Sequence, residues 1–154
     1  MSLPLILGTA FQSLPPAEVG IRVAASILTG SLIGLERLWR HKEAGLKTNT
    51  LVSLGAALFG MIATNSNFLQ NWSASQFSIG VITGVGFLGS GIILQGTNHI
   101  QGINSAATVW VSSGIGLACG MGEYGLAGFS LFGMLFVQFF HRWIENRMNQ
   151  YPPV

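Results

Sequence analysis

Apolar runs long enough to cross a bilayer follow one another almost without a break, and no other feature constrains the fold of this chain as tightly. They are Val19–Leu38, Thr48–Asn65, Phe77–Leu94, Asn104–Gly120 and Tyr124–Phe140. Spanning hydrocarbon by α-helix takes about 20 mainly apolar residues, with a range of about 17–25. Backbone polar groups must be satisfied internally there, which favours the helix for each run. Charged residues are 8% of the chain, against about 25% in a soluble domain. Ordinary soluble surface cannot be built from so few. Disorder is excluded by a hydrophobic share of 49%, because disordered chains are poor in apolar residues. A net charge of +2, spread along the chain, excludes nucleic acid as a partner. The expected fold is an all-α membrane protein, a bundle of about five transmembrane helices in contact with the lipid bilayer.

Residues 1–18 contain Pro4, Pro15 and Pro16 and no Lys or Arg. A secretory signal would begin with a basic segment, so this stretch reads as a short extracytoplasmic lead-in. The transmembrane domain then occupies 19–143, and 144–154 reads as a short cytoplasmic tail with no C-terminal soluble domain. The fourth run is the most polar, with Asn104, Ser105, Thr108, Ser112 and Ser113. Charge placement decides how to treat it, because cytoplasmic flanks are enriched in Lys and Arg. Five spans with the N-terminus outside put Arg37, Arg40, Lys42, Lys47, Arg142 and Arg147 inside and Arg22 outside. Four spans would move Arg142 and Arg147 outside. The expectation is therefore N-out and C-in, with Arg22 snorkelling to the outer interface.

Helices in lipid associate by close backbone approach, which small residues permit. Twenty-one glycines are present. Gly30 and Gly34 form a GxxxG in the first run, and Gly116 and Gly120 form another in the fourth. The third run carries Gly80, Gly84, Gly86, Gly89 and Gly91, which places it at the centre of the bundle. The fifth run is bulky and aromatic, with Phe129, Phe132, Phe136, Phe139 and Phe140, and suits a face turned to lipid or to another protein.

Polar residues gather at the inner ends of the runs. Glu36, Arg37, Lys47, Thr48, Asn104 and Ser105 form the candidate functional cluster. Thr48, Asn49, Asn104 and Ser105 have the chemistry of helix caps, and helix N-termini also attract anions. Glu36 is the acid nearest the membrane core and the one candidate metal ligand. It is spaced i,i+4 from Arg40, so a salt bridge and a cation contact are both open to it. His41, His99 and His141 fall on the same side but show no HxxxH spacing. Cys119 is the single cysteine and reads as a packing residue. No nucleophile elbow, Walker loop or paired acid appears, and no enzymatic activity is expected. Gly84-Val85-Gly86-Phe87-Leu88-Gly89 matches a dinucleotide fingerprint in letters alone, since it lies within an apolar run and not at a strand-to-helix turn.

Three segments together are similar to one family. They are Gly34-Leu35-Glu36-Arg37 with Ala44-Gly45-Leu46-Lys47-Thr48, Gly84 to Leu94, and Gly102-Ile103-Asn104-Ser105-Ala106-Ala107-Thr108-Val109-Trp110. In this order they resemble the MgtC/SapB family of bacterial inner-membrane proteins, over about residues 20–140. The resemblance implies a multi-pass protein of the cell inner membrane tied to magnesium limitation. Family members are magnesium-transport-associated, and some are linked instead to inhibition of the membrane ATP synthase and to virulence.

Two functional readings follow. In the first, the chain moves Mg²⁺ or another cation. Mg²⁺ takes oxygen ligands and commonly one or two carboxylates. Glu36 would attract it, Asn104 and Ser105 would help coordinate it, and a homodimer would double the acid. In the second, the chain is a small regulatory membrane protein. It would act by contact with another membrane complex, such as ATP synthase, through the aromatic fifth run or the Arg37–Lys47 loop. A weaker third reading is a lipid-headgroup binder at the two helix N-termini.

Overall fold

The computed structural model describes residues 14–65, 74–95 and 100–148. Five helices make up nearly all of this: α1 (Pro16–Trp39), α2 (Leu46–Asn65), α3 (Ala74–Ile92), α4 (Ile103–Met121) and α5 (Tyr124–Met148). Two short strands, β1 (Leu94–Gln95) and β2 (Ile100–Gln101), pair antiparallel between α3 and α4. Among the described residues, four helices are long and apolar enough to cross a membrane, over Pro16–Trp39, Leu46–Thr64, Ser75–Ile92 and Tyr124–Glu145. α4 has sufficient length at 19 residues, but its hydroxyl and amide side chains make it less apolar. α5 continues past Phe140, where the apolar run ends, as far as Met148.

The helix ends follow local chemistry. Pro16 begins α1, where a missing N–H costs nothing and φ is preset for a helix, and Glu18 lies in the first turn. α4 is bracketed by two left-handed glycines, Gly102 at φ 87° and Gly122 at φ 84°. At Gly102 a Cβ would lie 2.2 Å from the Ile92 carbonyl oxygen, so nothing larger fits there. Gly122 and Glu123 donate backbone N–H groups to Cys119 and Ala118 at 3.1 and 2.9 Å, closing the end of α4.

The third run was expected at the centre, and the structure puts α4 there instead. One side of α4 packs Val109 and Leu117 with Ala56 of α2 and Val81 and Val85 of α3. The other packs Ile115, Ala118 and Cys119 with Ile33 of α1 and Ala127 of α5. A Cβ at Gly80, Gly84, Gly86 or Gly91 would meet nothing within 4 Å, and at Gly89 the nearest atom is Ala106 Cβ at 3.6 Å. Within this chain those glycines do not serve close approach. Small residues state how near a neighbour can come, and not whether one is there.

Close approach occurs along α2. A Cβ at Gly116 of α4 would lie 2.1 Å from the Ser53 carbonyl oxygen, and one at Gly120 would lie 2.1 Å from that of Ala57. On the other side of α2, a Cβ at Gly30 would lie 2.8 Å from the Asn49 oxygen, and one at Gly34 would lie 2.5 Å from Leu46 Cα. Hydroxyls cross the same seams. Ser53 Oγ donates to the Ser26 carbonyl at 2.8 Å, and Ser112 Oγ to the Asn49 carbonyl at 3.2 Å. α1, α2 and α4 thus form a closed three-helix unit. α3 and α5 flank it, and an apolar groove of 660 Å³ lies between α2 and α3.

Candidate functional site

Charged side chains are turned into the bundle at both of its ends. At the end where α4 finishes, Arg22 is buried. It pairs with Glu18, donates to the Gly120 carbonyl at 2.6 Å and reaches Thr64 Oγ1 at 3.2 Å. Snorkelling was expected of it. Instead its charge sits on the C-terminal carbonyls of the central helix, where the helix dipole favours a cation. Arg22→Ala strips a charged donor from a buried carbonyl, and we expect a loss of about 1.5–3 kcal/mol. Thermal unfolding of the detergent-solubilised variant checks this, and an unchanged melting temperature would count against the capping role.

At the opposite, basic end, α1 stops and α2 and α4 begin. Glu36 is buried and pairs with Arg40 one turn on. The Gln138 side chain of α5, with its amide nitrogen turned to the carboxylate, donates to Glu36 as well. Arg40 also donates to the Gln138 backbone carbonyl at 3.3 Å and lies 5.6 Å from the centroid of the Phe139 ring. Both glutamate oxygens are thereby engaged, and the group ties α1 to α5. Glu36 was the candidate metal ligand, and its carboxylate is committed to Arg40 and Gln138. Among the described residues no group of three His, Cys, Asp or Glu could hold a metal ion. A cation at Glu36 would have to displace Arg40 and Gln138. Of the histidines, His141 Nδ1 lies 3.2 Å from the Val137 carbonyl, and His99 falls outside the described residues.

Arg37 is buried too and donates through Nη2 to Ser105 Oγ on α4. Ser105 and Asn104 line a polar pocket of 500 Å³ with His41, Lys42, Glu43 and the Ile100–Ile103 segment. Lys47 and Thr48 lie exposed in the first turn of α2 and are not part of that lining. The structure therefore joins Arg37 to Ser105, sets Asn104 beside Ser105 in the pocket wall, and ties Glu36 elsewhere. The expected caps are corrected as well. Gly102 is the N-cap of α4, with no side-chain cap bond. Asn49 is a donor, to the Ala44 and Gly45 carbonyls at 2.8 and 2.9 Å. Asn104 and Ser105 sit two and three residues beyond that N-cap, inside the first turn of α4.

Two participants escaped sequence reasoning. Gln138 carried a faint signal, as the one amide in the run Tyr124–Phe140. Glu43 carried none. Its carboxylate reaches the start of α4, where a Cβ on Gly102 would meet Oε2 at 3.2 Å. That approach depends on the fold of the α1–α2 loop.

α5 presents an exposed ladder of rings. Phe132 stacks with Phe136 at 6.4 Å, Phe136 with Phe140 at 5.9 Å and Phe140 with Trp143 at 6.4 Å. Arg147 lies 5.9 Å from the centroid of the Trp143 ring.

The family model for the MgtC family matches residues 23–147. Protein MgtC of Salmonella typhimurium strain LT2 is 38% identical over 132 residues, which is 86% of this chain and 56% of that protein. Protein MgtC of Brucella abortus strain 2308 is 42% identical over 108 residues, which is 70% of this chain and 44% of that protein. An uncharacterized protein of Synechocystis is 39% identical over 104 residues, covering 68% of this chain and 44% of that protein. The chain thus spans about half the length of the curated relatives it matches. No solved structure matches it. With a family match over most of its length and four helices fit to cross a bilayer, the chain belongs to the MgtC family and is a multi-pass membrane protein.

Proposed function

We propose that this chain serves magnesium homeostasis as a contact-acting regulator of another complex in the bacterial inner membrane, and that it carries no catalytic activity. Magnesium enters through the family resemblance. The mode of action rests on one observation, the closed seam of α1, α2 and α4. At Gly116 and Gly120 the helices approach so closely that a single methyl would overlap a facing carbonyl oxygen. Such a seam leaves no bore for a hydrated ion. Glu36, the acid that a transport route would use, is engaged by Arg40 and Gln138.

The surface that fits a protein partner is α5. Phe129 and Phe132 are 82% and 70% exposed, and the ring ladder continues to Trp143 on the basic side. Aromatic side chains supply large contact area at low entropic cost, which suits an interface anchor. On the reading of five spans with the N-terminus outside, the basic end and the finish of α5 would face the cytoplasm. A partner such as ATP synthase would be met along α5 within the membrane.

Reconstitution of the purified chain alone into proteoliposomes tests this reading. We expect Mg²⁺ flux no greater than that of empty liposomes. Flux that disappears in Glu36→Gln, with the variant folded, would overturn the contact reading and restore transport.

A further inference from the structure

One face of α5 changes its chemistry in the order in which a bilayer does. Phe132, Phe136, Phe140, Trp143 and Arg147 follow one another at intervals of three or four residues, so they share one side of the helix. The rings stack in sequence as far as Trp143, which is 59% exposed. The apolar span closes at Glu145, and Arg147 stands in the last turn of α5, just beyond it. Phenylalanine suits hydrocarbon, and tryptophan collects at the membrane–water interface. At 1.5 Å per residue, Arg147 lies about 6 Å farther along the axis than Trp143, at the level of the headgroups.

The Arg147 guanidinium is held but not neutralised. It lies 5.9 Å from the centroid of the Trp143 ring, within cation–π range. The ion pairs among the described residues are Arg22–Glu18 and Arg40–Glu36, so Arg147 is paired with no described acid. Glu145, the acid nearest to it in sequence, is two residues back and lies on another side of the helix. A guanidinium resting on an aromatic ring keeps its N–H donors in its own plane, and that fork matches the oxygens of a phosphate. The surroundings carry the same sign. Lys42, Lys47 and Arg142 are exposed at this end and belong to neither ion pair, against two exposed acids, Glu43 and Glu145. Basic groups of this kind at a membrane surface favour anionic over neutral headgroups.

We propose that the Trp143–Arg147 step at the foot of α5 binds the headgroup of an anionic phospholipid. The Arg147 guanidinium donates to the phosphate, and the indole holds that guanidinium at headgroup depth. The bilayer itself supplies the ligand, because an exposed helix face of a multi-pass protein is lined by lipid. The site uses neither Phe129 nor Phe132, so it stands or falls separately from the partner contact proposed for α5.

The test uses the full chain, delipidated in neutral detergent and titrated with phosphatidylglycerol or phosphatidylcholine. Native mass spectrometry counts the lipid retained. Phosphatidylglycerol is expected to be retained several-fold over phosphatidylcholine. Arg147→Gln should lower that retention about fivefold, as loss of one cation at an anionic surface does. Trp143→Leu should lower it about threefold, the effect of an exposed cation–π contact. Both side chains are exposed, so both variants should keep the parent's melting temperature. Lys47→Gln, on α2, removes the same charge from the same end and separates a local site from a diffuse field. Its loss should be clearly smaller than that of Arg147→Gln. No preference for phosphatidylglycerol, equal losses in Arg147→Gln and Lys47→Gln, or unchanged retention in Trp143→Leu overturns the proposal.

Discussion

Gly116→Ala is expected to prevent the bundle from assembling, while Gly84→Ala leaves it intact. The two residues belong to the same class of motif and differ in what faces them. A methyl on Gly116 would lie 2.1 Å from the Ser53 carbonyl oxygen and 2.6 Å from Ser53 Cα. Backbone cannot rotate aside as a side chain can, so α2 and α4 must move apart. That separation would also break the Ser112 bond to the Asn49 carbonyl, now 3.2 Å. Overpacking costs about 1–3 kcal/mol where side chains yield, and a backbone obstacle on the central helix should meet or exceed the top of that range. Expression, monodispersity in detergent and the melting temperature report the outcome. A methyl on Gly84 meets nothing within 4 Å, and its variant should melt with the parent. Equal tolerance of both substitutions would mean that α4 is not the central helix.

Glu36→Ala is the second large effect. It removes the acid that holds Arg40 and leaves Arg37 and Arg40 adjacent on α1 with no carboxylate between them. Breaking a buried ion pair from one side costs about 3–5 kcal/mol. The Arg40 side chain is 20% exposed and can turn partly to water, so about 2–3 kcal/mol is the expected loss. The damage should concentrate in α5, because Gln138 is bound to Glu36 and Arg40 together. Hydrogen exchange should therefore rise over the second half of α5 more than over α2 or α4. Glu36→Leu combined with Arg40→Leu should recover most of the lost stability, since a matched apolar pair leaves no stranded charge. Even loss of protection across all five helices would count against a local tie between α1 and α5.

The aromatic ladder of α5 and the polar pocket at the start of α4 are lined by different residues. Substitutions at Phe132 and Phe136 should alter partner contact and leave the melting temperature of the bundle unchanged, because both rings are exposed.

Helical membrane character and family were legible in the sequence, because both depend on local content. Apolar length decides whether a segment can cross a bilayer, and each of the three segments that carry the resemblance is an unbroken stretch of the chain. The lining-up of small residues was legible only as a capacity. Gly80, Gly84, Gly116 and Gly120 look alike in the sequence, yet two face open space and two face backbone. That difference belongs to which helix each one meets, and meeting is decided by how five helices share α4. The charges behaved in the same way. The i,i+4 spacing of Glu36 and Arg40 could be read directly, since it lies within one turn of helix. The arrival of Gln138 from α5, the burial of Arg37 against Ser105, and the placement of Glu43 over the start of α4 each join residues far apart in the chain. Sequence determined what each helix could be. Tertiary packing decided which partner each polar group would meet, and it set the Arg37 guanidinium against Ser105 of α4.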